Sequence, residues 1–183
     1  MIQDTDRLSH WRRQLKRFEV LRQLGQLDGR RVLDLGCGGG DWYLFLKDAG
    51  CRPLYTGVDG DAEAVARCRA RFAGDPSCVF EAGGVMDYQP SEPFDYVIAG
   101  SLPSTEALTR VFSWCTLGAA VSFASVRPLS PAQRGRYADP AAIVKAALRL
   151  TPSLRLAHDY LPGDFTLFLY KRPAWTPEPS RNR

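Results

Sequence analysis

The sequence has few histidines and no closely spaced pair of cysteines, and both facts limit the metal and disulfide chemistry that it can support. It has 2 histidines and 5 cysteines, and no two cysteines form a Cys-x-x-Cys pair. Such a pattern argues against a zinc site or a disulfide framework. We therefore predict that no metal is bound and that the cysteines are reduced and structural, since free cysteine commonly acts as a small buried apolar residue.

Long apolar runs and a secretory signal are also missing. The longest mostly apolar window covers residues 111–126, and polar residues and a glycine interrupt it. A membrane helix needs about 20 apolar residues, so this window is too short and too mixed. Residues 1–7 include two aspartates, which does not suit a signal peptide. We expect a cytoplasmic protein with no membrane partner.

A strong excess of one charge is absent as well. The formal net charge is +4, from 24 basic and 20 acidic residues, and the basic residues are spread along the chain. A nucleic-acid-binding protein more often collects them into one patch or stripe, so a nucleic-acid partner is the minority interpretation. A length of 183 residues suits a single domain with a sizeable core.

What the sequence does contain is an aliphatic run that leads into glycines. Residues 31–40 read Arg-Val-Leu-Asp-Leu-Gly-Cys-Gly-Gly-Gly. The aliphatic part predicts a buried strand, the glycines a tight turn, and residues 41–50 a helix with Asp41 as its cap. Glycine tolerates positive φ and lets a ligand approach the main chain. The carboxyl end of a strand is also where open α/β folds bind their ligands.

The rest of the chain continues the alternation of strand and helix. The predicted strands cover residues 31–35, 54–58, 78–82, 94–99 and 119–126, then a hairpin of 154–161 and 165–171, and the predicted helices cover 8–27, 41–50, 62–72, 103–115 and 140–150. Asp61 and Asp139 are predicted helix caps. Cys115 falls inside a predicted helix that Gly118 ends. We predict an α/β fold: a single doubly wound, mostly parallel Rossmann-like sheet with helices on both faces and a C-terminal antiparallel hairpin.

The glycine turn does not match the loops that hold phosphates. No Lys-Ser or Lys-Thr follows the glycines, as a nucleoside triphosphatase requires. Gly36 and Gly38 fit the start of a dinucleotide fingerprint, but Asp41 stands at its third glycine and opposes a pyrophosphate at the positive helix end. With Asp34 before the turn and Asp41 after it, the pattern favours a cationic ligand. A nicotinamide-dependent oxidoreductase is kept as the weaker alternative.

Asp59 bears on the identity of this cationic ligand. It ends the second predicted strand, 23 residues after Gly36. In dinucleotide-binding folds an acidic side chain at this place binds the ribose hydroxyls. Capping of the next helix is the other role for an aspartate here, and Asp61 serves it better. We therefore predict that the ligand contains adenosine.

The spacing Asp-x-Gly-x-Gly-x-Gly over residues 34–40 resembles the first motif of the class I S-adenosylmethionine-dependent methyltransferases. The succession of strands ending in a hairpin is similar to their seven-stranded sheet. The resemblance covers residues 30–171, which we interpret as the methyltransferase domain, between a packed N-terminal helix (1–29) and a flexible tail (172–183). It implies S-adenosylmethionine as cofactor and S-adenosylhomocysteine as product. The sulfonium and ammonium of this cofactor suit the carboxylates beside the turn.

The resemblance also implies which residues hold the cofactor. The backbone of the turn is expected to contact the methionine part, Asp34 its amino group and Asp59 the ribose. Residues 85–87 are expected at the adenine, although Gly84 stands where the family often has aspartate, and the residues after the fourth strand meet the methyl group. The implied cofactor-binding residues are Asp34, Gly36, Cys37, Gly38, Asp59, Gly60, Val85, Met86, Asp87, Gly100 and Ser101.

Residues 100–103, Gly-Ser-Leu-Pro, argue against several acceptors. They do not match the Asp/Asn/Ser-Pro-Pro-Tyr/Phe motif of enzymes that methylate exocyclic amines or amides. The chain also shows neither a Pro-Cys nucleophile nor the Lys-Asp-Lys-Glu set of ribose 2′-O transfer. We predict transfer to an O or N atom of a small-molecule acceptor in preference to a macromolecule. A binding module that holds the cofactor without turnover and acts through a partner is the alternative, and the oligomeric state stays open.

The closing hairpin supplies the candidates for a general base. Its segment 158–162, followed by an aromatic strand, resembles that of a set of small bacterial methyltransferases with a similar N-terminal helix. If the strand 154–161 runs parallel to the sheet, the turn after it lies at the binding edge. His158, Tyr160 and Asp164 are then the candidate catalytic residues. Packing within an aromatic hairpin is the preferred explanation of these side chains.

Overall fold

The computed structural model describes residues 2–100, 102, 104–126 and 137–172, without the side chains of residues 2–9. The helices are α1 (Ile2–Leu21), α2 (Asp41–Asp48), α3 (Ala62–Arg71), α4 (Thr105–Ser113) and α5 (Pro140–Ala147), with a 3-10 turn at Arg22–Leu24. The strands are β1 (Arg31–Leu35), β2 (Leu54–Asp59), β3 (Cys78–Ala82), β4 (Phe94–Ala99), β5 (Cys115–Ala124), β6 (Leu154–Ala157) and β7 (Asp164–Tyr170). The predicted tail from residue 173 onward and Ser101 lie outside the described residues.

The strands form one seven-stranded sheet in the order β3-β2-β1-β4-β5-β7-β6. The strands β1 to β5 pair in parallel, and β7 is antiparallel to both β5 and β6. The predicted fold is therefore confirmed. Because β6 points the same way as the parallel strands, the turn that follows it lies at their carboxyl edge. The strand order reverses between β1 and β4, which is the position where open α/β sheets bind ligands.

Helices bury both faces of this sheet. Val32 and Ile98 face a core built with α1, α2 and α3, whereas Leu33 and Val97 face a core built with α4 and α5. Each of the four side chains is at most 1% exposed. Successive residues of a strand point to opposite faces, so a central strand covered on both sides is apolar almost throughout. The aliphatic run before the glycine turn follows from this burial.

The predicted N-terminal amphipathic helix is present as α1 and the 3-10 turn after it. Its apolar side packs on the first core through Phe18, Leu21 and Leu24, while Arg12 and Lys16 are exposed. Burial of one apolar stripe, more than intrinsic propensity, stabilises such a surface helix. In the part of the chain that the structure describes, no helix is long and apolar enough to cross a membrane.

Two of the three predicted helix caps are confirmed. The Asp61 carboxylate accepts from the backbone N–H of Glu63 at 2.9 Å, and the Asp139 carboxylate accepts from that of Ala141 at 3.1 Å. The prediction for Asp41 is wrong, because Gly40 is the N-cap of α2 with φ of 74°. Asp41 is the first residue of the helix.

The prediction that α4 continues through Cys115 is also wrong. The helix ends at Ser113, and Cys115 is the buried first residue of β5. Gly118 does not end a helix but pairs with Tyr170 inside the sheet. A Cβ on Gly118 would lie 2.8 Å from the carbonyl oxygen of Leu169. The glycine is therefore required by the close approach of two strands, as is common for glycine inside a sheet.

Substitution Gly118→Ala is expected to destabilise the protein by about 1–3 kcal/mol, the usual cost of forcing extra atoms into a packed interior. Backbone cannot move aside as a flexible side-chain end can. Gly83→Ala is the matched control, because the nearest atom to its Cβ is 3.6 Å away. Urea denaturation of both variants measures the difference. Equal stabilities of the two variants would contradict this account of Gly118.

Candidate functional site

Two cavities lie at the carboxyl edge of the sheet and share Gly36 and Gly100 as lining residues. The larger has a volume of about 460 Å³ and extends from the glycine turn to α1 and to the ends of β5 and β7. The smaller, of about 260 Å³, lies at the ends of β2 and β3, against Gly60 and Val85. Together they form one elongated site across the point where the strand order reverses.

The predicted glycine turn forms the boundary of both cavities. Gly36, Gly38 and Gly40 have φ of 82°, 52° and 74°, a region that side chains with a Cβ rarely adopt. The Gly36 N–H donates to the Val58 carbonyl oxygen at 2.7 Å, which attaches the turn to β2. A Cβ at Gly36 or Gly38 would meet no atom within 4 Å, so these positions face open space.

Two side chains of α3 hold this turn from outside. The Arg71 guanidinium donates to the Gly39 carbonyl oxygen at 2.9 Å and to the Asp41 carboxylate at 2.7 Å. The Cys68 thiol donates to the Gly38 carbonyl oxygen at 3.1 Å. Sequence reasoning missed both residues, because neither lies in a motif. The predicted carboxylate after the turn, Asp41, lines the larger cavity, but its charge is paired with Arg71.

Asp34 lines the larger cavity from β1 and is 6% exposed. The Tyr55 hydroxyl donates to its carboxylate at 2.5 Å. Burial raises the pKa of Asp34 to about 7, the Tyr55 hydrogen bond acts in the opposite direction, and the negative charge of Asp59 adds to the rise. No basic side chain that the structure describes forms an ion pair with this carboxylate. It is therefore suited to receive a cationic group in the cavity.

The Asp59 carboxylate joins the glycine turn to the start of α3. One oxygen accepts from the Gly38 N–H at 2.8 Å, and the other accepts from the Asp61 N–H at 2.9 Å. A carboxylate has about four acceptor positions, so each oxygen retains one for a ligand. Asp59 itself lines neither of these two cavities, but the next residue, Gly60, lines the smaller one.

The predicted adenine segment is only partly at the smaller cavity. Gly84 and Val85 line it, whereas Met86 and Asp87 are exposed and do not. The Asp87 carboxylate nevertheless lies beside the cavity, since a Cβ on Gly84 would be 3.4 Å from it. The Arg110 side chain of α4 donates to the carbonyl oxygens of Val85 and of Tyr88, at 3.4 and 3.2 Å. Arg110 therefore holds this segment, a role that no sequence motif indicated.

Of the three candidate catalytic residues, only Asp164 lines the larger cavity. The His158 ring is hydrogen-bonded to the Ser125 hydroxyl at 3.0 Å and packs edge-on against Phe165. The Tyr160 hydroxyl lies 2.9 Å from that of Thr166. Hairpin packing, the preferred explanation, therefore accounts for His158 and for the ring of Tyr160.

Tyr160 is connected to the larger cavity through a short chain of hydroxyl groups. The Thr166 hydroxyl lies 2.9 Å from the Tyr160 hydroxyl and also 2.9 Å from that of Ser122, which lines the cavity. Burial raises the pKa of Tyr160, so the phenol keeps its proton at neutral pH. The chain thus presents neutral hydroxyl groups that can hydrogen-bond a ligand in the cavity, but none of them is a base.

Cys37 also lines the larger cavity but is not a reactive thiol. Burial raises its pKa above the ordinary value, and the nearby carboxylate of Asp34 raises it further. The thiolate is the nucleophilic form of cysteine, and it is not populated at neutral pH under these conditions. The predicted structural role of this cysteine agrees with that environment.

The sheet order, the final antiparallel strand and the glycine turn define the class of α/β proteins to which the class I methyltransferases belong. A family model described as methyltransferase domain matches residues 32–116. This segment, which holds the glycine turn and Asp59, is therefore similar to a methyltransferase domain. The predicted resemblance is confirmed.

Relatives by sequence carry the same description. A Mycobacterium tuberculosis protein, Rv1506c, whose description as a methyltransferase is provisional, is 29% identical over an alignment that covers 82% of this chain and 99% of the relative. Trans-aconitate 2-methyltransferase of Escherichia coli is 28% identical over 83 residues, which are 45% of this chain and 32% of the relative.

Solved structures share the fold. Magnesium protoporphyrin IX methyltransferase from Synechocystis PCC 6803, with bound S-adenosylhomocysteine, has a TM-score of 0.69 at 19% identity and covers 94% of this chain and 88% of its own. The methyltransferase domain of bacterial CtHen1 has a TM-score of 0.64 at 17% identity and covers 85% of this chain and 97% of its own. At these identities the likeness concerns the fold.

Proposed function

We propose that this protein transfers the methyl group of S-adenosylmethionine to an O or N atom of a small-molecule acceptor. The observation that carries the proposal is the pair of joined cavities on the glycine turn, one beside Asp59 and the other against Asp34. A nucleoside fits beside Asp59, and a cationic amino group fits against Asp34. The larger cavity continues past the turn to Ser122 and Asp164, which leaves room for an acceptor.

The residues present fit the cofactor. The buried carboxylate of Asp34 has no ion pair with a basic side chain among the described residues, and the methionine amino group supplies a positive charge for it. The positive φ values and open space at Gly36 and Gly38 allow a ligand to contact the main chain. Asp59 has acceptor positions left for both ribose hydroxyls. When bound, S-adenosylmethionine supplies an electrophilic methyl group on a sulfonium.

The contribution of the protein is chiefly alignment. A rigid site that holds an acceptor lone pair in line with the methyl carbon lowers the barrier by several kcal/mol, about 7–11 at best. An acceptor hydroxyl or ammonium also has to lose a proton. We assign this proton to the Asp164 carboxylate, which lines the larger cavity and can accept it. The Ser122, Thr166 and Tyr160 hydroxyls are neutral and can hydrogen-bond the acceptor but cannot keep its proton. His158 is set aside because it contacts Ser125 instead.

The names of two relatives support a small acceptor. Trans-aconitate 2-methyltransferase and magnesium protoporphyrin IX methyltransferase are each named for a small molecule. The helix α1 covers the larger cavity with Gln14, Arg17 and Phe18, so the acceptor side of the site is partly enclosed. Partial enclosure favours a small molecule over a macromolecule.

Calorimetry followed by a transfer assay tests this function. We expect S-adenosylmethionine and S-adenosylhomocysteine to bind with micromolar Kd and NADH not to bind. In a cell extract with labelled S-adenosylmethionine, label is expected in the small-molecule fraction. Absence of cofactor binding at millimolar concentration would refute the proposal. Binding without transfer in any extract would favour the non-catalytic module, and label in protein or nucleic acid would refute the small acceptor.

A further inference from the structure

The larger cavity has groups of opposite charge on different walls. The floor, formed by β1, carries the buried carboxylate of Asp34. The wall formed by α1 carries the guanidinium of Arg17 and the amide of Gln14. An uncharged or purely cationic ligand would use only the floor. A cavity with both signs of charge suits a ligand that has an anionic group as well as an amine.

The contacts of Arg17 leave hydrogen-bond donors for such a ligand. Its Nε and one terminal nitrogen contact the Asp164 carboxylate at 3.1 and 2.9 Å, and the other terminal nitrogen donates to the Gln14 side-chain oxygen at 3.3 Å. Among the described residues, these contacts use three of the five N–H bonds of the guanidinium. Because the Gln14 oxygen is an acceptor here, its amide N–H bonds point away from Arg17.

The ion pairs around Asp164 leave one positive charge on the α1 side. Arg13 and Arg17 both contact the same carboxylate oxygen of Asp164, at 3.4 and 2.9 Å. Two guanidiniums against one carboxylate give a net charge of about +1 next to the cavity. Among these three residues, Arg17 and Asp164 line the cavity and Arg13 does not. Arg17 is therefore the cation that a ligand meets.

We propose that Arg17, supported by Gln14, forms a carboxylate-binding subsite on α1. A guanidinium pairs with a carboxylate through two parallel hydrogen bonds, which gives both strength and orientation. The inference rests on the proposed function, because the ligands of that function offer two carboxylates: the methionine carboxylate of the cofactor and a carboxylate on the acceptor. In either case α1 forms one wall of the binding site and the carboxyl edge of the sheet forms another.

Binding measurements with Arg17→Ala test the subsite. If the cofactor is the source, S-adenosylhomocysteine binds about 10- to 100-fold more weakly, the loss expected for a hydrogen bond to a charged group. The decarboxylated analogue, which keeps the adenosine, thioether and amine, binds the variant and the wild type equally. If the acceptor is the source, S-adenosylhomocysteine affinity is unchanged. In that case Arg17→Ala loaded with S-adenosylhomocysteine fails to bind succinate, whereas the wild type loaded with it binds succinate more tightly than neutral succinamide.

Matched variants separate this role from a structural one. Arg13→Ala removes the other ion pair to Asp164 without changing the cavity lining, and Arg12→Ala removes an exposed charge from the same helix. Arg12→Ala is expected to bind all the ligands as the wild type does. Arg13→Ala, which leaves Arg17 paired one-to-one with Asp164, is expected to weaken only the carboxylated ligands, and by less than Arg17→Ala does. If Arg17→Ala weakened the binding of the carboxylated and decarboxylated ligands equally, the subsite would be overturned. The role of Arg17 would then be to hold α1 in place. Unchanged binding of every ligand would also overturn it, while failure of the wild type to bind S-adenosylhomocysteine would instead refute the proposed function.

Discussion

Asp59→Ala is expected to weaken S-adenosylmethionine binding by at least about 100-fold. Two hydrogen bonds from ribose hydroxyls to a carboxylate are lost, and each hydrogen bond to a charged group contributes about 1.5–3 kcal/mol. The same substitution removes the acceptor of the Gly38 N–H, so the glycine turn loses one of its attachments. Both effects reduce affinity. Isothermal titration calorimetry with S-adenosylhomocysteine measures the change.

Asp61→Ala is the matched control for this prediction. Asp61 is also an aspartate at the start of α3, but its carboxylate caps the helix by accepting from the N–H groups of Glu63 and Ala64. Its loss costs about 0.5–2 kcal/mol of stability, as for other helix caps. Cofactor affinity should change little in this variant. Equal affinity losses in the two variants would show that Asp59 acts only by supporting α3, and normal affinity of Asp59→Ala would exclude its ribose role.

The sequence predicts those parts of the site that depend on local backbone geometry. A strand that runs into alternating glycines fixes a turn at the sheet edge, and the glycines have the positive φ values expected of them. Asp34 precedes the turn within the same strand, and Asp59 ends the neighbouring one. Because parallel strands end at one edge, both carboxylates are placed at that edge by register alone. The backbone part of the site was therefore predictable.

The residues that hold the site together were not predictable, because they come from distant parts of the chain. Arg71 reaches Gly39 across 32 positions, Arg110 reaches Val85 across 25, and Arg17 reaches Asp164 across 147. No periodicity or motif encodes these pairs. They depend on how helices lie against the sheet, which the hydrophobic pattern specifies only by face.

The errors in the sequence interpretation have a similar origin. The apolar spacing of α4 continues to Cys115, so the periodicity extends the helix into what is the buried start of β5. The sequence pattern predicts the end of a helix at Gly118. In the structure this glycine is needed for the close approach of its strand to Leu169, which lies 51 positions further along the chain. The ion pair of Asp41 was not predicted for the same reason, since its partner, Arg71, lies on another helix.

If Asp34 pairs with the methionine ammonium, as proposed, cofactor affinity is expected to depend on pH. Its pKa in the unliganded protein is raised to about 7 by burial, so the carboxylate is increasingly protonated below neutral pH. A protonated carboxyl cannot compensate the methionine ammonium. Affinity for S-adenosylhomocysteine is therefore expected to fall about tenfold for each pH unit below about 7 and to level off above it. This ligand isolates the ammonium contribution, because it lacks the sulfonium.

Calorimetry between pH 5.5 and 8.5 tests the role of Asp34, with Asp34→Asn as the matched variant. The asparagine keeps the shape of the side chain but does not titrate, so it should bind weakly at pH 8 and show little pH dependence. Folding stability should respond in the opposite sense: because the folded-state pKa is raised from 3.8, the wild type loses stability as pH rises toward about 7, and the variant does not. A wild-type affinity that stays constant from pH 5.5 to 8.5 would mean that the ammonium does not pair with Asp34. Parallel pH profiles in the two proteins would assign the titration to another group.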